Sequence, residues 1–353
     1  MRILSRFIFS LILLSGFFNS AYPQDDLHTN LSKLTQDAAA QYVKPLISGF
    51  GADMNSGWLS RIPDAKILGV DINFRIIAMG AFFDNANKTL SANTNFRFNQ
   101  DEALLLTNDI QDENTRQEVI NQILNQDFNV GIQGPTVVGK SHEYITVTFK
   151  GRTFLVNGEQ IPVGSKEFQT DINGALGGLP IMPLAAPQLT IGTVVGSCLS
   201  VRYLPSIQTG SDLGKINYFG IGIMHNPNVW LGGTLPVDIG LGIFFETMNA
   251  GDIFKSNATQ FSLFAGKTFG PSFSNVQPYA GLSIETSTIK VNYTEKFDTP
   301  LGVKTENISF DLKGDNKFKF TLGTSFKLAL ISLNFDYSFA SYSTLSLGIG
   351  VDF

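Results

Sequence analysis

The chain has 353 residues, only 16% of them charged, against roughly 25% in ordinary soluble domains. Gly (34) and Phe (30) are both abundant, and a net charge of −5 argues against a nucleic-acid partner. The single cysteine, Cys198, excludes a disulfide framework within the chain and a zinc cluster, and it lies too far from the N-terminus to anchor a lipid.

Arg2 and Arg6 precede the apolar run 7–14, and small and polar residues follow to Ala21. This layout predicts a secretory signal over 1–24, with cleavage between Ala21 and Asp25. The run is too short to span a bilayer, and no other run approaches the roughly 20 apolar residues of a membrane helix.

Residues 26–47 have a helical period through Leu31, Leu34, Ala38, Tyr42 and Leu46, with Asn30 as N-cap. Pro45 and Gly49-Phe50-Gly51 are expected to end this helix, and 51–58 are rich in turn residues. The segment 25–60 reads as an N-terminal plug or as an amphipathic helix packed on a soluble domain. Residues 61–83 hold the first long strand. Leu68, Val70, Ile72, Phe74 and Ile76 share one face, and Asp71, Asn73 and Arg75 the other. Three polar side chains on one face suit a wet lumen.

Residues 84–187 are more polar. A helix is expected at 113–126 and a strand at 142–150, within an inserted α+β subdomain or a large loop over a barrel mouth. From 188 to the end the period is two. Strands are expected at 188–203, 216–224, 237–245, 259–269, 278–293, 303–313, 317–328, 330–340 and 343–353, ten with the first one. Strands hidden in 84–187 would raise the number to twelve or fourteen. The last strand is the clearest: Leu345, Leu347, Ile349, Val351 and Phe353 alternate with Thr344, Ser346, Gly348, Gly350 and Asp352. The repeated pattern predicts an all-β transmembrane antiparallel barrel, lipid outside and a polar lumen, because lipid tolerates strands only in a closed sheet. Terminal Phe353 is read as a C-terminal assembly signal. Outer-membrane lipids, the barrel-assembly machinery and periplasmic chaperones are then the expected partners. One connection, 294–304, is too long for the periplasmic side where this count puts it.

The lumen candidates are Asp71, Asn73, Arg75, Arg202, Asn217, Asp238, Lys319, Asn334, Asp336 and Asp352. They line a solute path, anchor a plug, or bond to one another across a filled barrel. Aromatic girdles are expected at Tyr218-Phe219, Phe244-Phe245, Tyr337, Phe339 and Tyr342.

Gly134-Pro135-Thr136-Val137-Val138-Gly139-Lys140-Ser141 matches a phosphate-loop pattern, but 142–149 alternate like a strand where that loop needs a helix. It reads as a turn between strands. His28, His142 and His225 have unrelated surroundings, and none is expected on a strand's lipid face beside a serine. No catalytic, metal or cofactor site is therefore expected.

Three stretches carry a family resemblance: Asp37-Ala38-Ala39-Ala40-Gln41-Tyr42-Val43-Lys44-Pro45-Leu46 with Gly49-Phe50-Gly51, Gly134-Pro135-Thr136-Val137-Val138-Gly139, and Asn334-Phe335-Asp336-Tyr337-Ser338 with Ser343-Thr344-Leu345-Ser346-Leu347-Gly348. They resemble an uncharacterised family of Gram-negative outer-membrane barrels, classed only as a domain of unknown function. The resemblance covers nearly the whole mature chain and implies fold and place, with no assigned activity. The order of helix, Gly-rich turn and strand is more loosely similar to the outer-membrane long-chain fatty-acid transporters, which place a helical hatch inside a barrel. No ligand-binding residue carries over, and the long polar insertion departs from that pattern. The expected function is passive passage of a small, in this likeness hydrophobic, solute. The alternatives are a non-transporting surface-interaction or structural barrel and, third, a lipid-modifying barrel enzyme.

Overall fold

The computed structural model describes Leu27 and residues 30–177, 179–208, 215–232 and 235–353. The expected signal segment 1–24 and His28 lie outside the described residues. In chain order the elements are α1 (Gln36–Met54), β1 (Leu68–Phe82), β2 (Thr89–Phe96), α2 (Gln100–Leu106), α3 (Glu113–Leu124), β3 (Phe128–Pro135), β4 (Tyr144–Phe149), β5 (Arg152–Val156), β6 (Glu159–Val163) and β7 (Lys166–Asn173). They continue with β8 (Ile181–Val194), β9 (Ser197–Gln208), β10 (Lys215–His225), β11 (Asp238–Ala250), β12 (Phe254–Gly266), β13 (Ser274–Thr299), β14 (Gly302–Lys313), β15 (Phe318–Leu328), β16 (Ile331–Phe339) and β17 (Thr344–Asp352).

Ten strands form a closed antiparallel barrel in the order β1-β8-β9-β10-β11-β12-β13-β15-β16-β17, and β17 returns to β1. Closure follows from the pattern: strands apolar on one face bury no backbone edge in lipid only if the sheet meets itself. Large apolar side chains point outward, as with Ile349 at 60% exposure and Phe261 at 55%, while Thr344, Ser346 and Gln260 beside them are buried inside. Strands of 9–13 residues, such as β11, β12, β15, β16 and β17, match the tilted span of a bilayer. One edge of the apolar belt can be read strand by strand. Outward positions change from Phe219 to Asn217, from Phe245 to Thr247, from Phe261 to Thr259 and from Ile284 to Thr286.

Ten staves were expected, but two of the assignments differ. The expected strand 188–203 is the hairpin β8–β9, with Val195 and Gly196 at φ 50° and 65° in its turn. Odd positions face outward up to Ile191 and again from Leu199, because a bulge between Gly192 and Val194 offsets the parity change of the two-residue turn. The barrel strand β8 also begins at Ile181, inside the stretch assigned to the insertion. The expected stave 303–313 is β14, which pairs only with the distal half of β13, from Thr288↔Lys313 to Thr299↔Gly302. It forms an arm beyond the barrel. This removes the misfit of the long connection at 294–304, which lies at the tip of that arm, on the same side as residues 83–180.

Those residues form a cap. A sheet β2-β3-β4-β7, the hairpin β5–β6, α2 and α3 surround rings from Phe98, Phe128 and Phe149, with centroids 5.4–5.8 Å apart. α2 begins with reciprocal capping bonds: Asn99 Oδ1 accepts from the Glu102 amide and Glu102 Oε2 from the Asn99 amide, both 2.9 Å. The segment 134–141 is a turn between β3 and β4, with no helix after it. Its Val137 amide donates to the Tyr42 carbonyl at 3.1 Å, so it packs against α1.

α1 runs through both features expected to stop it, Pro45 and Gly49-Phe50-Gly51. Pro45 is interior, and the helix continues to Met54. The glycines serve close approach to the wall instead of termination. A Cβ on Gly51 would lie 2.0 Å from Ser287 Oγ, and one on Gly49 would lie 3.0 Å from the Phe83 ring. Asn30 does not cap α1, since its amide donates to Tyr42 Oη and to the Asn173 carbonyl, each at 3.0 Å. Thr35 holds the N-cap position, and its hydroxyl donates to the Asn95 carbonyl of the cap at 2.6 Å.

Candidate functional site

The chain threads its own barrel. Residues 30–35 contact the cap, and α1 descends past Asp315 into the lumen, where Ser48 Oγ donates to Asp315 Oδ2 at 3.1 Å. Residues 55–63 cross the lumen outside helix and strand, beginning with a bend at Gly57 (φ 64°), and 64–67 leave by the far mouth. There the amides of Val195 and Gly196 donate to the carbonyls of Ile67 and Lys66.

A segment without helix or sheet pairing inside a closed barrel leaves its carbonyls without backbone partners, and each such orphan is costly. The wall supplies side chains to satisfy them. Arg75 Nη2 donates to the carbonyls of Gly57 (2.7 Å) and Trp58 (3.0 Å), and its Nη1 to that of Leu59 (3.1 Å). Arg202 Nη2 donates to the Ser56 carbonyl at 2.9 Å, and Lys319 Nζ donates to the Asn55 carbonyl. Asn226 Nδ2 donates to the Pro63 carbonyl at 2.7 Å, while Gln277 Oε1 accepts from the Ile62 amide at 3.0 Å. Ser56 Oγ meets Thr344 Oγ1 at 2.8 Å. Hydrogen bonds from charged donors are each worth about 1.5–3 kcal/mol, so this set fixes the path of the segment.

The same side chains balance their charge against buried acids. Lys319 pairs with Glu285 at 2.8 Å. Glu246 accepts from the Trp58 indole and the Tyr218 hydroxyl, and the Arg202 guanidinium lies 3.9 Å from the Trp58 ring centroid. Trp58 also stacks on Phe244 at 4.8 Å. Asp53, fully buried, forms no ion pair among the described residues, and neither do buried Asp336 and Glu246.

The structure brings Arg75, Arg202, Lys319, Asn334 and Asp336 together inside the barrel, all at most 5% exposed. Asp71, Asn73 and Asp352 line the mouth away from the cap, and Asp238 sits at that mouth with Asn226 Nδ2 at 3.3 Å. Asn217 is not in the lumen. It shares the outward parity of Phe219, sits beyond the apolar edge, and accepts from Asn249 Nδ2 at 2.9 Å. Phe353 is exposed, with its backbone paired to Ile72. Four expected girdle aromatics face outward, namely Phe219, Phe245, Tyr337 and Phe339, whereas Tyr218 and Phe244 turn into the lumen and Tyr342 is buried under the cap. Sequence reading missed Trp58, Gln188, Glu246, Gln260 and Glu285. Each wall residue among them sits at an inward parity position, and that was the available signal.

His225 also differs from expectation. It ends β10 on the outward face, directly across from Ser197 of β9, with Nδ1 2.9 Å from Ser197 Oγ. The hydrogen-bond polarity is wrong for a nucleophile and its base. An indole N–H can only donate, and Trp230 Nε1 donates to His225 Nε2 at 3.2 Å. A neutral ring then carries its proton on Nδ1 and gives it to Ser197, whose hydroxyl donates to the Val195 carbonyl at 3.3 Å. The three residues clasp the turn after β10 to the β8–β9 turn.

Outside the barrel, burial and nearby Asp171, Asp101 and Asp298 push the Glu102 carboxyl up to about 7 against the Asn99 amide. Burial likewise raises Glu295 on the arm to about 7, opposed by Arg97.

Fold and site together define a transmembrane β-barrel closed by its own N-terminal segment and covered on one side by a cap. The chain belongs to the Family of unknown function (DUF6588), whose model matches residues 1–353. No curated protein matches it. Similar solved structures include the N-terminal β-barrel domain of Pseudomonas aeruginosa OprF, at 12% identity over 44% of this chain and 94% of that one, TM-score 0.21. Ail, the attachment invasion locus protein of Yersinia pestis, is 17% identical over 44% and 97%, TM-score 0.20. The transport unit of the Escherichia coli autotransporter AIDA-I is 9% identical over 87% and 98%, TM-score 0.26. The fold assignment rests on the strand pairings themselves.

Proposed function

We propose that this protein is a plugged outer-membrane barrel that holds its cap on one side of the bilayer as a surface-interaction module, with no enzymatic role. The observation that carries this reading is the clamp of Arg75, Arg202 and Lys319 on consecutive carbonyls from Asn55 to Leu59. A wall built to bind a chain is not free to line a solute path. Two-residue turns at Val195-Gly196 and Ala329-Leu330 support a periplasmic mouth away from the cap, against the longer connections 226–237 and 267–273 on that side, and the cap is then outside.

A second reading is passage of a small solute with the plug withdrawn. Asp53 favours it, since a buried carboxyl group whose oxygens lack hydrogen-bond partners weakens the seat of α1. A hydrophobic solute is the version drawn from the fatty-acid-transporter likeness alone. Conductance of the full chain in planar bilayers separates the two. Closed bilayers with wild type, and channels once residues 36–63 are deleted, support the plugged reading. Steady conductance by the intact chain refutes it.

A further inference from the structure

Beyond the apolar belt on the cap side, the outer wall carries a cluster of lysines. Outward positions run Phe261, Thr259, Asn257, Lys255 on β12 and Ile284, Thr286, Thr288, Lys290 on β13. Lys255 and Lys290 stand directly opposite each other in the ladder. Lys313 of β14 stands opposite Thr288, diagonal to Lys290. Direct partners share a face, so all three side chains leave the same outer surface, and all three residues are exposed. Like charges directly opposite each other destabilise a sheet. Asp311 faces Lys290 from β14, but none of the three lysines forms an ion pair among the described residues. Lysines often guard free strand edges. That does not account for Lys255 and Lys290, which are flanked on both sides in the row Asn249, Lys255, Lys290, Asp311. Their depth is the second observation. They lie four residues beyond Thr259 and Thr286, where the belt ends. For a strand tilted near 40° that is about 10 Å along the membrane normal. Lys313 is level with Thr288, at about half that height. Lysine stems let the ammonium groups reach back toward the belt, into the layer of lipid headgroups.

We propose that Lys255, Lys290 and Lys313 bind the phosphate groups of a lipid headgroup in the surface leaflet. One phosphate between Lys255 and Lys290 turns their repulsion into a bridge, and a second phosphate on the same headgroup meets Lys313. The site rests on the outward reading of the cap only for the choice of leaflet, since the lysines flank the belt in either orientation.

The test titrates full-length protein in a zwitterionic detergent with bisphosphorylated lipid A, its monophosphorylated form and phosphatidylcholine, and reads one-to-one adducts by native mass spectrometry. Saturable binding is expected to be tightest for the bisphosphorylated lipid, weaker for the monophosphorylated one and absent for phosphatidylcholine. Combining Lys255→Gln with Lys290→Gln weakens the bisphosphorylated lipid about 30-fold, the loss of two lysines at an anionic lipid surface. Without lipid this double variant unfolds at no lower temperature than wild type, because it has lost a repulsive pair. Equal binding of the two lipid A forms, or unchanged binding by the double variant, overturns the proposal. So does a double variant that unfolds at a lower temperature without lipid, which would assign the lysines to the fold. Detergent has no sidedness, so this result is independent of the cap's orientation, which labelling of intact cells tests separately.

Discussion

Arg202 is the most informative single substitution. Its guanidinium donates to Gln188 Oε1 at 2.9 Å, to the Ser56 carbonyl at 2.9 Å, and more weakly to Tyr218 Oη at 3.3 Å and the Met54 carbonyl at 3.5 Å. It is also the nearest cation to the Trp58 ring, whose indole bonds Glu246. Arg202→Met removes these donors and the stronger of the two cations that act on buried Glu246, leaving only Lys319, which pairs with Glu285. Breaking such an arrangement from one side costs about 3–5 kcal/mol. At about 1.4 kcal/mol per tenfold, the plug-out population rises by roughly 10²- to 10³-fold. Adding Glu246→Gln removes the stranded charge and returns a substantial part of the loss, on the order of 1–3 kcal/mol of coupling. Trypsin cleavage at Arg61 in folded barrels reports the plug-out population. Arg202→Met accelerates cleavage, and the double variant falls between it and wild type. Wild-type cleavage in Arg202→Met, or a double variant as fast as the single, would refute the clamp.

Other outcomes follow from the same geometry. Gly51→Val meets Ser287 at the wall and destabilises the seated helix by about 1–3 kcal/mol; a lower unfolding temperature on gels checks this, and Ser287→Gly restores part of it. Glu102 in the cap and Glu295 on the arm are both raised to about 7, so the folded protein holds their protons more tightly than the unfolded chain, whose value is near 4.5. Their contribution is therefore fully present below about pH 4.5 and is lost as pH rises through about 7. For Glu102 the loss is at most about 3 kcal/mol. Amide exchange in α2 is faster at pH 8 than at pH 6 after correction for intrinsic rates, and Glu102→Gln removes that difference. His225→Ala leaves phospholipid hydrolysis by the purified protein at background, as for wild type; a wild-type rate that the substitution abolishes would contradict the clasp reading.

Much of the barrel was legible because its signal is local. Parity alone placed Leu345 to Phe353 outward and Arg75 and Asn334 inward. It failed where parity carries no information. The Val195-Gly196 turn together with the bulge before it preserves phase, so two staves looked like one. β14 alternates like a stave, but only its pairing partner reveals an arm. Asn217 was assigned inward for its polarity, although its parity matched Phe219. Glycines and Pro45 in α1 looked like a stop signal, because a sequence does not show the wall that makes Gly51 necessary. The site was half legible. The cations of the wall stood out, but their ligands are backbone carbonyls of 55–59, and every residue has one.

Threading is what the whole account depends on, and surface labelling measures it directly. In a background of Cys198→Ser, single cysteines at Gln36, Asn125 and Ser272 are exposed to a membrane-impermeant maleimide on intact cells. The account predicts labelling at Gln36 and Asn125 and protection at Ser272 until the outer membrane is permeabilised. Labelling of Gln36 and Ser272 under the same condition would mean that the N-terminal segment does not cross the barrel.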